Sequence, residues 1–176
     1  MKLLRPDAGG AVVILPDSLP ERTIVMPKIF IATGTAGDKM FFNISANVGP
    51  GAPNKAEDVQ LVQFGYFAAT FSLKLKPELK VVFSAVVPGA NYTGAANDPL
   101  TLAIKADQAA GTGTKDGVVS VLHGGVTYVA GGRHTFLLIS LVNDIRKLMG
   151  KDFPRLDKHA KCPAVLAAGI RNLFDV

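Results

Sequence analysis

Cysteine is almost missing from this chain of 176 residues: Cys162 stands alone, so neither a disulfide framework nor a multi-cysteine zinc site can form. Tryptophan is absent and histidine occurs three times. His123, His134 and His159 lie eleven and twenty-five residues apart, which gives no helical pair of imidazoles and no metal-ligand motif. Long apolar runs are lacking too. No stretch approaches the ~20 residues that cross a bilayer, and residues 11–15, cut off by Pro16 and Asp17, are too few for a signal-peptide core. These absences predict a chain made in the cytoplasm, with a signal-independent route for any delivery to an envelope. Charged residues are scarce at 19%, whereas 48% are hydrophobic, which excludes intrinsic disorder and supplies a core for one domain, or one domain plus an appendage.

What is present has an order. Residues 11–15, 23–26, 29–32 and 40–45 are short, rich in Val, Ile and Phe, and punctuated by Pro16, Pro20, Pro27, Gly34 and Gly37, which predicts strands. A helix is predicted over 55–69, with Asn54 as N-cap, Glu57 reaching back, and Val59, Val62 and Tyr66 on one buried face. Residues 80–87 read as a strand closed by Pro88 and Gly89. Asp98 followed by Pro99 announces a second helix that ends at Gly111. Asp116-Gly117 reads as a turn before a strand over 118–122, and Tyr128 as part of a further strand. Leu138, Leu141, Ile145 and Leu148 recur on a helix capped by Gly150, and Pro163 opens a last helix with Leu166, Ile170 and Leu173. The last two helices are expected to pack as a pair.

Four segments in the middle of the chain form a recognisable series: Asn54-Lys-Ala-Glu-Asp-Val-Gln-Leu-Val-Gln63, Tyr92-Thr-Gly94, Asp98-Pro-Leu-Thr-Leu-Ala-Ile-Lys-Ala-Asp-Gln108 and Asp116-Gly-Val-Val-Ser-Val121. Over residues 47–122 this resembles the peptidoglycan-binding-domain-like family, a small helical module with a glutamine closing each of two helices and an Asp-Gly turn after the second. In physical terms Val59, Val62, Ala103 and Ile104 are spaced to pack the two helices together. Gln63 and Gln108, one turn further on, can satisfy loop backbone groups with their amides. Gly94 and Gly117 supply turn conformations that other residues resist. The chain departs from the family pattern in three places: Asp107 replaces the aromatic before the second Gln, Phe64-Gly65-Tyr66 replaces a Leu-Leu, and about twenty residues are inserted between the helices.

Together these readings predict an α+β protein with a β-rich section over 1–46, a peptidoglycan-binding-like module over 47–125 and a basic helical section over 126–176. Saccharide recognition uses aromatic faces and a few polar groups, and Tyr92, Asp98, Tyr128 and Arg133, with His134, lie nearest the predicted turns. The charge of +5 is concentrated: residues 1–132 hold 11 basic and 10 acidic side chains, and residues 133–176 hold 8 and 4. Arg146, Lys147, Lys151, Arg155 and Lys158, followed by Lys161, form a candidate basic docking surface.

Catalytic readings find little support. Cys162 beside Pro163 at a helix start could have a lowered thiol pKa, but no partner residues accompany it. The 111–115 loop lacks the phosphate-loop order and follows a helix, and no cofactor or metal motif is present. Asn43-Ile-Ser45 and Asn91-Tyr-Thr93 match the glycosylation sequon without a secretory signal. No nucleic-acid motif accompanies the basic residues. The resemblance implies a non-catalytic module that recognises peptidoglycan or docks onto another protein of a bacterial or phage envelope-directed assembly. The alternative is a structural subunit or adaptor of a secretion or tail-like complex, homo-oligomeric or not, that has lost glycan binding.

Overall fold

A computed structural model describes residues 28–34, 39–111, 113–123, 127–128 and 136–175. The strands expected over 11–15 and 23–26 lie outside these residues. The fold is α+β. In chain order it runs β1 (Lys28–Gly34), β2 (Lys39–Asn43), α1 (Ala56–Ala69), α2 (Pro77–Ser84), α3 (Pro99–Ala110), β3 (Thr127–Tyr128), α4 (Leu137–Met149), two 3-10 turns (Gly150–Asp152 and Leu156–Lys158) and α5 (Ala164–Phe174).

The sheet has the order β2-β1-β3. β1 pairs antiparallel with β2, Lys28 opposite Asn43 and Ala32 opposite Lys39, and parallel with β3 at Thr33 and Gly34. β2 does not alternate: Phe41 and Phe42 are both fully buried, because each face of the strand is covered. Phe42 meets Phe153 edge to face at 5.6 Å. Arg146 from α4 lays its guanidinium over the rings of Phe41 (4.9 Å) and Phe153 (4.6 Å) and donates to the carbonyl of Met40.

α1 is the central element. Its sequence predicts one buried face, yet Leu61, Val62, Gln63, Phe64, Tyr66, Ala68 and Ala69 are all buried, because α2, α4 and α5 pack around it. Gly65 permits the close approach of α4: a Cβ there would lie 2.8 Å from the Cβ of Leu141. The expected pairing of α4 with α5 is replaced by contacts of both with α1, α5 being tied to it by the Leu166 N–H on Gln60 Oε1 at 3.2 Å. α3 likewise takes α2 as its main neighbour, although Val59, Val62, Ala103 and Ile104 share one buried core.

Three local expectations are corrected. Residues 80–87 do not form a strand, since 77–84 is the helix α2, started by Pro77 in its first turn. Leu79, Val82, Phe83 and Val86 turn toward the core at helical spacing, a period hidden by the β-branched run Val81-Val82. Asn54 is not the cap of α1: it has φ +49, and its amide accepts from Gly49 N–H (2.8 Å) and donates to the carbonyls of Gly49 and Ala52 (2.9 and 2.8 Å). Lys55 occupies the cap position with no side-chain bond, and nearby Asp58 secures the preceding loop at Ser45 and Ala46. Residues 118–122 form no full strand. Val119 bridges Val48 through backbone bonds of 3.0 and 2.7 Å, and side chains hold the rest.

Candidate functional site

The chain between Asn43 and Leu122 is fastened by side-chain amides and carboxylates that bond loop backbone. Asn43 donates to the Leu122 carbonyl (2.8 Å) and accepts from its N–H (2.9 Å), while Asn47 accepts from Val121 N–H (3.0 Å). Asp58 accepts from Ser45 N–H, Ser45 Oγ and Ala46 N–H, each at 2.9 Å. These bonds engage Asn43 and Ser45 of the first sequon inside the fold.

The glutamines do what their spacing predicts. Gln63 accepts from Gly89 N–H (3.0 Å) and donates to the Ala90 carbonyl (2.9 Å), closing the loop after α2. Gln108 accepts from Gly117 N–H (2.7 Å) and donates to Asp116 Oδ1 and the Val118 carbonyl, both at 3.0 Å. The turn it closes needs glycine: Gly117 has φ +78.

Of the four predicted glycan contacts, Tyr92 and Asp98 come together at the start of α3. Asp98 is buried and caps the helix, accepting from Leu100 N–H (2.9 Å), Thr93 N–H (3.0 Å) and Thr93 Oγ1 (2.8 Å). Burial presses its carboxyl upward, but the hydrogen bonds from Thr93, Leu100 and Thr101 outweigh that and hold it below the usual range. The Tyr92 hydroxyl shares a 3.0 Å bond with Thr101 Oγ1. Tyr128 lies in β3, paired with Gly34. Arg133 and His134 lie outside the described residues.

The basic set divides. Arg146 lies at the α4–β2 seam, its cation engaged by two rings and a backbone carbonyl. Arg155 grips Asp157 through Nε (2.9 Å) and Nη2 (2.8 Å) and reaches Asp175 at 2.8 Å. Lys147 pairs with Asp144 at 2.7 Å and Lys158 with Asp152 at 3.8 Å. Lys151 and Lys161 are exposed. Cys162 does not have the lowered pKa considered for it: burial, then Asp157, pushes the thiol up to about 12, so it stays protonated at neutral pH. His159 stands edge-on to Phe64 (5.4 Å) and Phe67 (5.7 Å). Among the described residues no three His, Cys, Asp or Glu side chains gather to hold a metal ion.

A polar junction that the sequence reading did not single out as a site lies where α1, α3 and α4 meet. Tyr66 is fully buried, edge-on to Phe83 at 4.8 Å, and its hydroxyl makes no hydrogen bond of normal geometry. Burial, reinforced by the charge of Asp107, raises its pKa well above the ordinary phenol value. Asp107 in turn is pushed up to about 6, first by burial and then by the charge of Asp144, with the Tyr66 hydroxyl opposing. No local signal in the sequence marks this pair, because Tyr66 and Asp107 lie on different helices.

No family model, no curated protein and no solved structure matches this chain. No helix among the described residues is long and apolar enough to cross a membrane.

Proposed function

We propose that this chain is a non-catalytic binding module of a bacterial or phage envelope-directed assembly, built on a peptidoglycan-binding-like scaffold and acting by docking onto a partner rather than by gripping glycan. Support for the scaffold comes from the two glutamine clamps, Gln63 on the Gly89-Ala90 loop and Gln108 on the Asp116–Val118 turn. The choice between partners rests on one observation: Asp98 and Tyr92 use their polar atoms within the fold, so the groups expected to meet sugar hydroxyls are already bonded. Four of the five cations assigned to a basic face are also engaged by acids, rings or backbone, which argues against a purely electrostatic grip on an anionic wall polymer.

Retention on purified peptidoglycan sacculi tests this reading. Weak retention at low salt that disappears at about 0.5 M NaCl is expected, since only screened surface charge would contribute. Retention that survives the salt and falls with Tyr92→Ala would reinstate glycan recognition and overturn the docking assignment.

A further inference from the structure

We propose that residues 71–81, the loop between α1 and α2 with the outer face of α2, form a docking element for an anionic lipid surface. Phe71 is 60% exposed, Val81 74%, and Leu73 stands wholly in solvent. Interleaved with them are Lys74, Lys76 and Lys80, all exposed and, among the described residues, without an ion pair. Glu78 is the segment's sole acid, so three lysines against one carboxylate leave it with a net charge of +2.

The loop is preformed. Phe71 N–H donates to the Ala68 carbonyl (3.1 Å), Ser72 N–H to Ala69 (2.9 Å) and Leu75 N–H to Ser72 (3.2 Å). Leu75 packs against the core, and the Phe71 ring rests edge-on to Phe67 at 5.3 Å. With Leu75 anchored inward, the tight turn holds Leu73 outward.

Composition separates lipid from protein as the occupant. Protein interfaces are depleted in lysine and enriched in Tyr, Trp, Phe, Met and Arg; of the enriched types only Phe71 occurs between 71 and 81, against three lysines. Apolar tips ringed by lysines suit a bilayer interface, where Phe and Leu enter the acyl boundary. The lysine stems lie along it with their ammonium groups at the phosphates.

Co-sedimentation of the full chain with extruded vesicles tests the proposal. Vesicles of phosphatidylcholine with about 30% phosphatidylserine are expected to pellet the protein, with binding weakened as NaCl rises from about 0.1 to 0.5 M. Phosphatidylcholine alone should bind at least about tenfold more weakly. The double variant F71S/L73S should lose about tenfold or more in affinity while its thermal melt stays unchanged, since both side chains are largely outside the core. Each of K74A, K76A and K80A should cost about fivefold. Failure of the wild-type chain to pellet with the anionic vesicles overturns the proposal. So does F71S/L73S binding equal to wild type, or capture by soluble polyglutamate without vesicle binding, which would make the surface a site for an acidic protein.

Discussion

Replacing Asp107 by asparagine probes the α1–α3–α4 junction most directly. Two groups act on the carboxyl, Asp144 from α4 and Tyr66 from α1, and Asp144 is itself paired with Lys147. Burial and the Asp144 charge push Asp107 up to about 6, whereas an aspartate in the unfolded chain titrates near about 3.9. The folded state therefore holds its proton about two pH units longer. The stability that this proton supplies is complete below about pH 4 and is lost as pH rises through about 6. At about 1.4 kcal/mol per pH unit the loss is about 3 kcal/mol, and residual contact with water brings it nearer about 2 kcal/mol. Asparagine keeps the shape without the charge. Asp107→Asn is thus expected to exceed the parent by about 2–3 kcal/mol at neutral pH and to match it near about pH 4. Urea unfolding followed by far-UV circular dichroism across that range measures the gap. A variant no more stable at neutral pH, or a gap that does not close in acid, refutes the desolvation argument. Asp144→Asn should give a smaller gain of the same sign, because it removes the second cause and leaves the burial.

Gly65→Ala should force α1 and α4 apart, since the new methyl would meet Leu141 at 2.8 Å; a cost of about 1–3 kcal/mol is expected, read as a lower melting temperature. Combined with Leu141→Ala it should cost less than the two single losses together, whereas strict additivity would show that the helices do not compete for that space. Gln108→Ala removes three bonds and leaves the buried Gly117 N–H unsatisfied. A loss of about 1–3 kcal/mol is expected, with faster amide exchange at residues 114–120 and unchanged protection in α5. Unaltered exchange in that turn would mean that Gln108 does not hold it.

The sequence disclosed most where a local signal and the tertiary environment agree. Asp98-Pro99 starts α3 and Gly150 ends α4, because a cap acts within a few bonds of itself and owes little to the rest of the fold. The glutamine clamps were legible for a related reason, as an amide one turn beyond a buried face has only loop backbone within reach. Asn54 misled because its side chain had a choice between the helix end and the preceding turn, and the turn, with φ +49 at Asn54 itself, took all of its bonds. α2 misled because Val81-Val82 is strand-like in isolation, while the decision lay with Phe83 and Val86 finding the core. The electrostatic coupling of Tyr66 and Asp107 had no local signature at all. It couples residues on different helices, whose local sequences carry no trace of each other.

The segment from Phe71 to Ala90 shows how one stretch can serve two purposes without conflict. Its inner side, with Leu75, Leu79, Val82, Phe83 and Val86, belongs to the same core as α1 and α3, and Gln63 fastens its far end at Gly89 and Ala90. Its outer side carries Phe71, Leu73 and Val81. Because the segment is helical at its centre, the two sets point in opposite directions and can vary separately. Truncating Phe83, fully buried against Tyr66, would loosen the fold and disturb the polar junction beneath it, whereas truncating Leu73 removes contact with nothing but water. A surface feature supported this way stays in place when its own side chains are changed, so the outer face can be altered for binding without altering the core that presents it.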